Sequence, residues 1–234
     1  MENIDSNTKE SYYISMAGME PIALRERLLD GLERLASVMR ADVRRSAAPR
    51  GLNPAQDAIL RLLLARPAGV RVSALAGHLG VRPPTVTDSV IALERKGLVC
   101  RQSDPSDARA IVVRVTPDAR PQKAPDEPSH TAAALAELSE TEQIQLLKTL
   151  IKLIRSLQLR QAIPPQRICV TCKYFRPNVH PEPEAPHHCA YVDAPFGDRA
   201  LRLDCAEHEQ AVAPEMARNW NAFMTPRPRH EVRP

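Results

Sequence analysis

Four of the five cysteines in this 234-residue chain fall in one segment, spaced Cys169-x2-Cys172-x16-Cys189-x15-Cys205. A Cys-x2-Cys knuckle turns two thiolates toward one point, and two further cysteines complete a set of four sulfur ligands. Such a set suits structural zinc or an iron–sulfur cluster. Zinc ribbons draw two knuckles from two hairpins, whereas here the second pair is spread over 15 residues, which favours the cluster. Tyr174, Phe175, Tyr191 and Phe196 share the segment and are four of the chain's seven Phe and Tyr residues. They can wrap a cluster against solvent, or simply supply the core that a small metal domain needs. His180, His187, His188 and His208 stand by as substitute ligands or as hydrogen-bond partners of the ligands. Cys100 reads as a small, half-buried residue of a strand rather than as a redox thiol.

An odd number of cysteines does not make a fully paired disulfide framework, and MENIDSNTKESYYISMAGMEP lacks the basic start and apolar run of a cleaved signal. No stretch reaches membrane-spanning length. The expectation is a cytoplasmic protein that binds no membrane, in whose reducing compartment clustered cysteines hold metal. A dithiol redox enzyme using Cys169 and Cys172 is the reading from another class. The knuckle has no thioredoxin-like strand–helix setting, and no nucleophile–base pair or paired carboxylates occur elsewhere, so no enzymatic activity is expected.

The elements that carry these residues are mostly helical. PIALRERLLDGLERLASVMRADVRR places Leu28, Leu32, Leu35, Met39 and Val43 at three-four spacing, with arginines between them. LNPAQDAILRLLLAR predicts a second helix, with Asn53 as cap and Pro54 at its first position. In VSALAGHLGVRPPTVTDSVIALERKGLV, Ser73 can cap a short helix that Gly80 ends, and Arg82-Pro83-Pro84 opens another that Gly97 closes. The strands LVCRQ and AIVVRVT follow, joined by the turn SDPSDAR. A helix, a tight turn, a helix and a two-stranded hairpin make a winged helix. Prolines at 117, 121, 125 and 128 bar any continuous helix through a linker over 117–130. Beyond it TAAALAELSETEQIQLLKTLIKLIRSLQLRQ is helical, with a Ser139–Glu142 capping box and an apolar stripe broader than a lone helix can hide.

The charge is uneven. Residues 21–120 carry 17 Lys and Arg against 10 Asp and Glu, whereas the later segments are balanced. That confinement is the footprint of a polyanion binder.

Residues 21–160 resemble the MarR family of winged-helix regulators, through LGVRPPTVTDSVIALERKGLV, the wing SDPSDARAIVVRVTPDA and LSETEQIQLLKTLIKLI, in the family's order and spacing. The resemblance implies a homodimer, assembled from N- and C-terminal helices, that binds a pseudo-palindromic operator in double-stranded DNA, usually as a repressor. A helix entering the major groove presents its first turn to base edges, and here that turn holds Arg82, Pro84, Thr85, Thr87 and Asp88. Arg109 matches the family's minor-groove arginine, with Asp107 placed to brace it. Asp88 stands where many relatives carry arginine, which predicts a different operator sequence. The prolines at 117–128 interrupt the family's long dimerisation helix and predict an altered dimer geometry.

Over residues 169–205 the cysteine spacing is similar to that of high-potential iron–sulfur proteins, which implies a 4Fe-4S cubane. The expected fold is mainly α with a small β-wing: a flexible arm over 1–19, a winged-helix DNA-binding and dimerisation domain over 20–160, a metal- or cluster-binding domain over 166–210 and a tail over 211–234. The expected function is a transcriptional regulator whose cluster senses redox state, oxygen, nitric oxide or iron. The alternative keeps the regulator, with structural zinc (Zn2+) at the cysteines and a small-molecule effector bound elsewhere.

Overall fold

The computed structural model describes residues 21–79, 82–104, 107–119 and 128–225. The N-terminal arm, Gly80, the wing tip at 105 and 106, most of the proline-rich linker and the final residues 226–234 lie outside the described residues. Contacts divide the chain into two units, residues 1–54 with 125–134, and residues 55–124 with 135–234.

In the first unit the expected arginine-rich helix is α1 (Pro21–Ala47). Leu24, Leu28, Leu29, Leu32, Leu35 and Met39 all remain largely exposed on it. Near its end Asp42 is buried and accepts hydrogen bonds from the Thr131 backbone N–H (2.9 Å) and hydroxyl (2.7 Å). Those bonds hold its carboxyl below the usual range and tie α1 to the start of a short helix at 130.

The second unit opens with the winged helix. α2 (Pro54–Leu64) buries Ile59, Leu60 and Leu63. α3 (Val72–Leu79) buries Leu75 and Ala76 and packs on α4 (Pro83–Arg95), which buries Val86, Val90 and Leu93. α3 begins one residue before the expected cap, which leaves Ser73 inside its first turn. The wing strands β2 (Val99–Asp104) and β3 (Asp107–Val115) are antiparallel, pairing Val99 with Val115 and Arg101 with Val113. A two-residue strand that the sequence reading lacks, β1 (Val70–Arg71), adds to the other edge of β3, giving the order β1-β3-β2. Gly69 makes that pairing possible. Its φ is +83°, and a Cβ there would lie 2.6 Å from side-chain carbons of Val112 and Arg114.

After the linker come α5 (His130–Ala136) and α6 (Glu140–Leu159). Ser139 caps α6 through the expected box, accepting from the Glu142 backbone N–H while the Glu142 carboxylate accepts from the Ser139 backbone N–H. The cysteine segment forms a second small sheet, β4 (Phe175–Arg176), β5 (His187–Cys189) and β6 (Ala194–Phe196), antiparallel in that order. Its core is Ile168, Val170, Cys172, Phe175, Leu201 and Phe223 together with Ile151 of α6, against which Leu147 and Ile154 also pack. The domain boundary expected near residue 160 is therefore crossed by packing. Part of the broad stripe of α6 serves the cysteine segment, which explains why it exceeds what a lone helix can hide.

The tail expected from residue 211 is corrected in part. α7 (Ala213–Met224) occupies half of it, begins with proline in its first turn, and buries Phe223 beside half-buried Trp220. Aromatic residues at i and i+3 put both rings on one face, and that face closes the cysteine core. Gly197, directly after β6, has no room for a side chain, because a Cβ would sit 2.1 Å from the Glu184 carbonyl oxygen.

Candidate functional site

Two surfaces carry the residues singled out by the sequence. On the winged helix, Arg82 ends the turn before α4 in an extended conformation and gives it no side-chain cap. Pro83 and Pro84 then supply no N–H, so two of the donors that a helix start leaves unsatisfied are absent and the end needs little capping. Arg82, Pro84, Thr85, Thr87 and Asp88 are all exposed there, whereas Val86, Ser89 and Val90 face the core. Thr87 donates its hydroxyl to the Pro83 carbonyl at 3.2 Å, an intrahelical bond that turns its methyl group outward. Arg109 is exposed on β3. Asp107 does brace it, but through the backbone, accepting the Arg109 N–H at 3.1 Å. Glu94 and Arg101 pair at 2.7 Å between α4 and β2, fixing the wing against the helix it flanks. Cys100 is half-buried in β2 and apart from the other four cysteines.

The second surface is the cysteine segment. Cys169, Cys172, Cys189 and Cys205 all line one cavity of about 170 Å³, together with Tyr174, Phe175, Tyr191 and Phe196. A 3-10 turn, Cys169–Thr171, forms the knuckle, with the Cys172 N–H bonded to the Cys169 carbonyl at 2.9 Å. Cys189 ends β5, and Cys205 sits in a loop whose backbone N–H reaches the Arg167 carbonyl at 3.0 Å. All five cysteines are free thiols. Among the described residues, no three His, Cys, Asp or Glu side chains come together closely enough to hold one metal ion. Zinc bound tetrahedrally at about 2.3 Å needs its sulfurs about 3.8 Å apart. The thiols instead ring a space comparable to the roughly 150 Å³ cavities that admit a benzene-sized guest.

Two further residues reach the sulfurs. The Arg202 backbone N–H donates to Cys169 Sγ at 3.2 Å, its guanidinium lies 3.7 Å from Cys205 Sγ, and the Cys205 thiol donates to Glu207 at 3.3 Å. Hydrogen bonds to ligand sulfurs are a principal means of tuning a cluster. Burial pushes the Cys169 thiol up to about 11, against the opposing pull of the Arg202 N–H, and the three neighbouring cysteines raise it further. Four thiolates around one cavity repel one another unless a cationic body lies between them.

None of the four histidines considered as substitute ligands lines the cavity. His187 is buried and packs on the rings of Phe175, Phe196 and Phe223, with its Nε2 2.9 Å from Asp198. Asp198 in turn accepts from Lys148 of α6 at 2.8 Å, so this chain of contacts fixes the segment on its helix. His208 meets the Thr171 hydroxyl at 3.0 Å, and His180 meets His188 at 3.1 Å. No sequence signal marks Arg202, because its main contribution is a backbone N–H, which every residue but proline possesses.

Comparison with known proteins bears on the winged helix. A family model described as the MarR family matches residues 52–111. YkoM of Bacillus subtilis (strain 168), described as an uncharacterized HTH-type transcriptional regulator, is 31% identical over 111 residues, which is 46% of this chain and 71% of YkoM. Among solved structures, YusO from Bacillus subtilis is 24% identical, with a TM-score of 0.40 over 58% of this chain and 99% of its own. CouR from Rhodococcus jostii RHA1, solved with p-coumaroyl-CoA bound, is 28% identical, with a TM-score of 0.43 over 51% of this chain and 85% of its own.

Proposed function

This chain belongs to the MarR family of transcriptional regulators, and from that premise we propose that it binds an operator in duplex DNA as a homodimer and holds an iron–sulfur cluster on its four C-terminal cysteines. The exposed first turn of α4 and the exposed wing arginine support the DNA half. The helix offers exposed small side chains to the major groove, and Arg109 suits the negative potential of a narrow minor groove. The exposed leucines of α1 support the dimer, because a stripe of large apolar residues on one helix is a surface that a second copy buries.

The cluster rests on one observation: four thiols that do not converge on a point share one cavity. The donor set fits a cubane better than zinc, with Cys169, Cys172, Cys189 and Cys205 as ligands. A 4Fe-4S cluster bound there would supply a redox-active, oxygen- and nitric-oxide-sensitive centre. The chain's own residues shield it with Tyr174, Phe175, Tyr191 and Phe196 and donate the Arg202 N–H to a ligand sulfur.

Anaerobic purification with iron, sulfide and zinc analysis tests this reading. The expected result is about four iron and four sulfide per chain with a visible absorption band, lost on Cys205→Ser. A colourless protein with one zinc and no sulfide overturns it. Operator affinity of loaded and cluster-free protein, measured at fixed salt, then tests whether the centre governs binding.

A further inference from the structure

One carboxylate joins the two surfaces. Asp204, the residue before Cys205, accepts at a single oxygen, Oδ1, from Arg66 Nη2 at 2.8 Å and from Arg167 Nε at 2.7 Å. Arg66 follows α2 and lies in the turn that leads to β1. Its side chain is only 9% exposed, and its second amino group donates to the Leu62 carbonyl in the last turn of α2. Arg167 clasps the Cys205 loop from the other side, its backbone carbonyl accepting from the Cys205 N–H and its guanidinium reaching the Ala206 carbonyl at 3.5 Å.

We propose that Asp204 is the latch through which occupancy of the cysteine cavity sets the posture of the winged helix, holding Arg66 and Arg167 together only while Cys205 is fixed in place. The proposal rests on the cluster reading above and names how that site would regulate DNA binding.

The argument is mechanical on one side and electrostatic on the other. Asp204 and Cys205 are neighbours along the chain, so about 3.8 Å separates their Cα atoms and neither moves far alone. The loop that holds them has no helix or strand of its own. If Cys205 is released, Asp204 loses its anchorage. Two guanidiniums that are both largely shielded from water then face each other without the shared carboxylate, and like charges in that setting repel strongly. Arg167 Nη2 is already buried without a hydrogen-bond partner among the described residues. The Arg66 turn takes up the strain. Its N–H bonds to the Leu63 carbonyl and its carbonyl accepts from Gly69, whose backbone is pressed against β3. A shift at Arg66 therefore reaches both the strand that carries Arg109 and the start of α3. The two states are discrete, latched and unlatched, as coupling between distant sites requires.

The test compares Asp204→Asn, Arg66→Gln and the conservative Asp204→Glu with the wild type. Each full-length protein is assayed loaded and cluster-free against a duplex selected by the wild-type protein from a randomised pool. Iron and sulfide content is measured in parallel. The loaded wild type is expected to bind roughly 5- to 150-fold more tightly than the cluster-free form. Loaded Asp204→Asn and Arg66→Gln should bind as weakly as the cluster-free wild type while keeping their iron and sulfide, and Asp204→Glu should restore most of the ratio. Should Asp204→Asn fail to load, Arg66→Gln decides alone, since it lies outside the cysteine segment. Variants that load and keep the wild-type ratio overturn the latch and leave the cluster reading standing. A wild type that loads but whose affinity ignores loading overturns the latch and leaves the cluster reading standing, and one that never loads overturns both.

Discussion

Replacing Ile151 with alanine should unfold the cysteine segment far more easily, because this α6 side chain is fully buried among Ile168, Val170, Phe175, Leu201 and Phe223. Three carbons are lost. At about 0.8 kcal/mol for each, the transfer cost is about 2.4 kcal/mol. A void left in so close-packed a core adds to that, for a total of about 3–4 kcal/mol. The molecule carries its own probe, since the single tryptophan, Trp220, packs against this core with the Arg155 guanidinium 4.2 Å from its ring centre. Urea unfolding followed by tryptophan fluorescence therefore reports on this core. With a denaturant slope of about 1–2 kcal/mol/M for a unit of this size, the midpoint should fall by about 1.5–4 M. Ile151→Val should lose only about 1 kcal/mol, giving a graded pair should the alanine variant be unfolded in buffer. A midpoint for Ile151→Ala within roughly 0.3 M of the wild type would mean that α6 does not pack on the cysteine segment, and the fold described here would be wrong at that point.

Two other outcomes follow from the geometry. Arg109→Ala should weaken binding to the selected duplex by about 1–3 kcal/mol, roughly fivefold or more, with unchanged far-ultraviolet circular dichroism; fluorescence anisotropy at constant salt reads this, and an unchanged affinity would remove the wing from the interface. Asp198 is held down to about 2 by its bonds to His187 and Lys148, against burial that opposes them. Its folded pKa lies below the ordinary 3.8, so its contribution is fully present above about pH 4 and is lost as the pH falls toward 2. After allowance for solvent screening this amounts to about 1–2 kcal/mol. Asp198→Asn should flatten that part of the stability profile in thermal melts, and an undiminished slope between pH 4 and 2 would assign it to other carboxylates.

Much of the winged helix is legible in the sequence because its signals are local. The three-four spacing of Ile59 and Leu63, the Pro83-Pro84 opening of α4, Gly97 after it and the Ser139–Glu142 box are each set by neighbours a few positions away. The cysteine spacing likewise points to one site, and all four thiols reach one cavity. What escaped is non-local or carried by the backbone. Lys148, Asp198 and His187 meet across some fifty positions, and the Arg202 N–H could come from almost any residue type. β1 is two residues long and exists only because β3 offers an edge. α7 was hidden by a composition rich in alanine and asparagine, in which only the spacing of Trp220 and Phe223 betrays a buried face.

Because α6 lends Ile151, Leu147 and Ile154 to the residues that follow it, the regulator portion cannot be obtained by cutting the chain after Leu159. Such a fragment would turn an oily strip of that rod toward water and invite clumping. Any substitution at those three positions therefore touches both portions at once, and neither can be redesigned without the other.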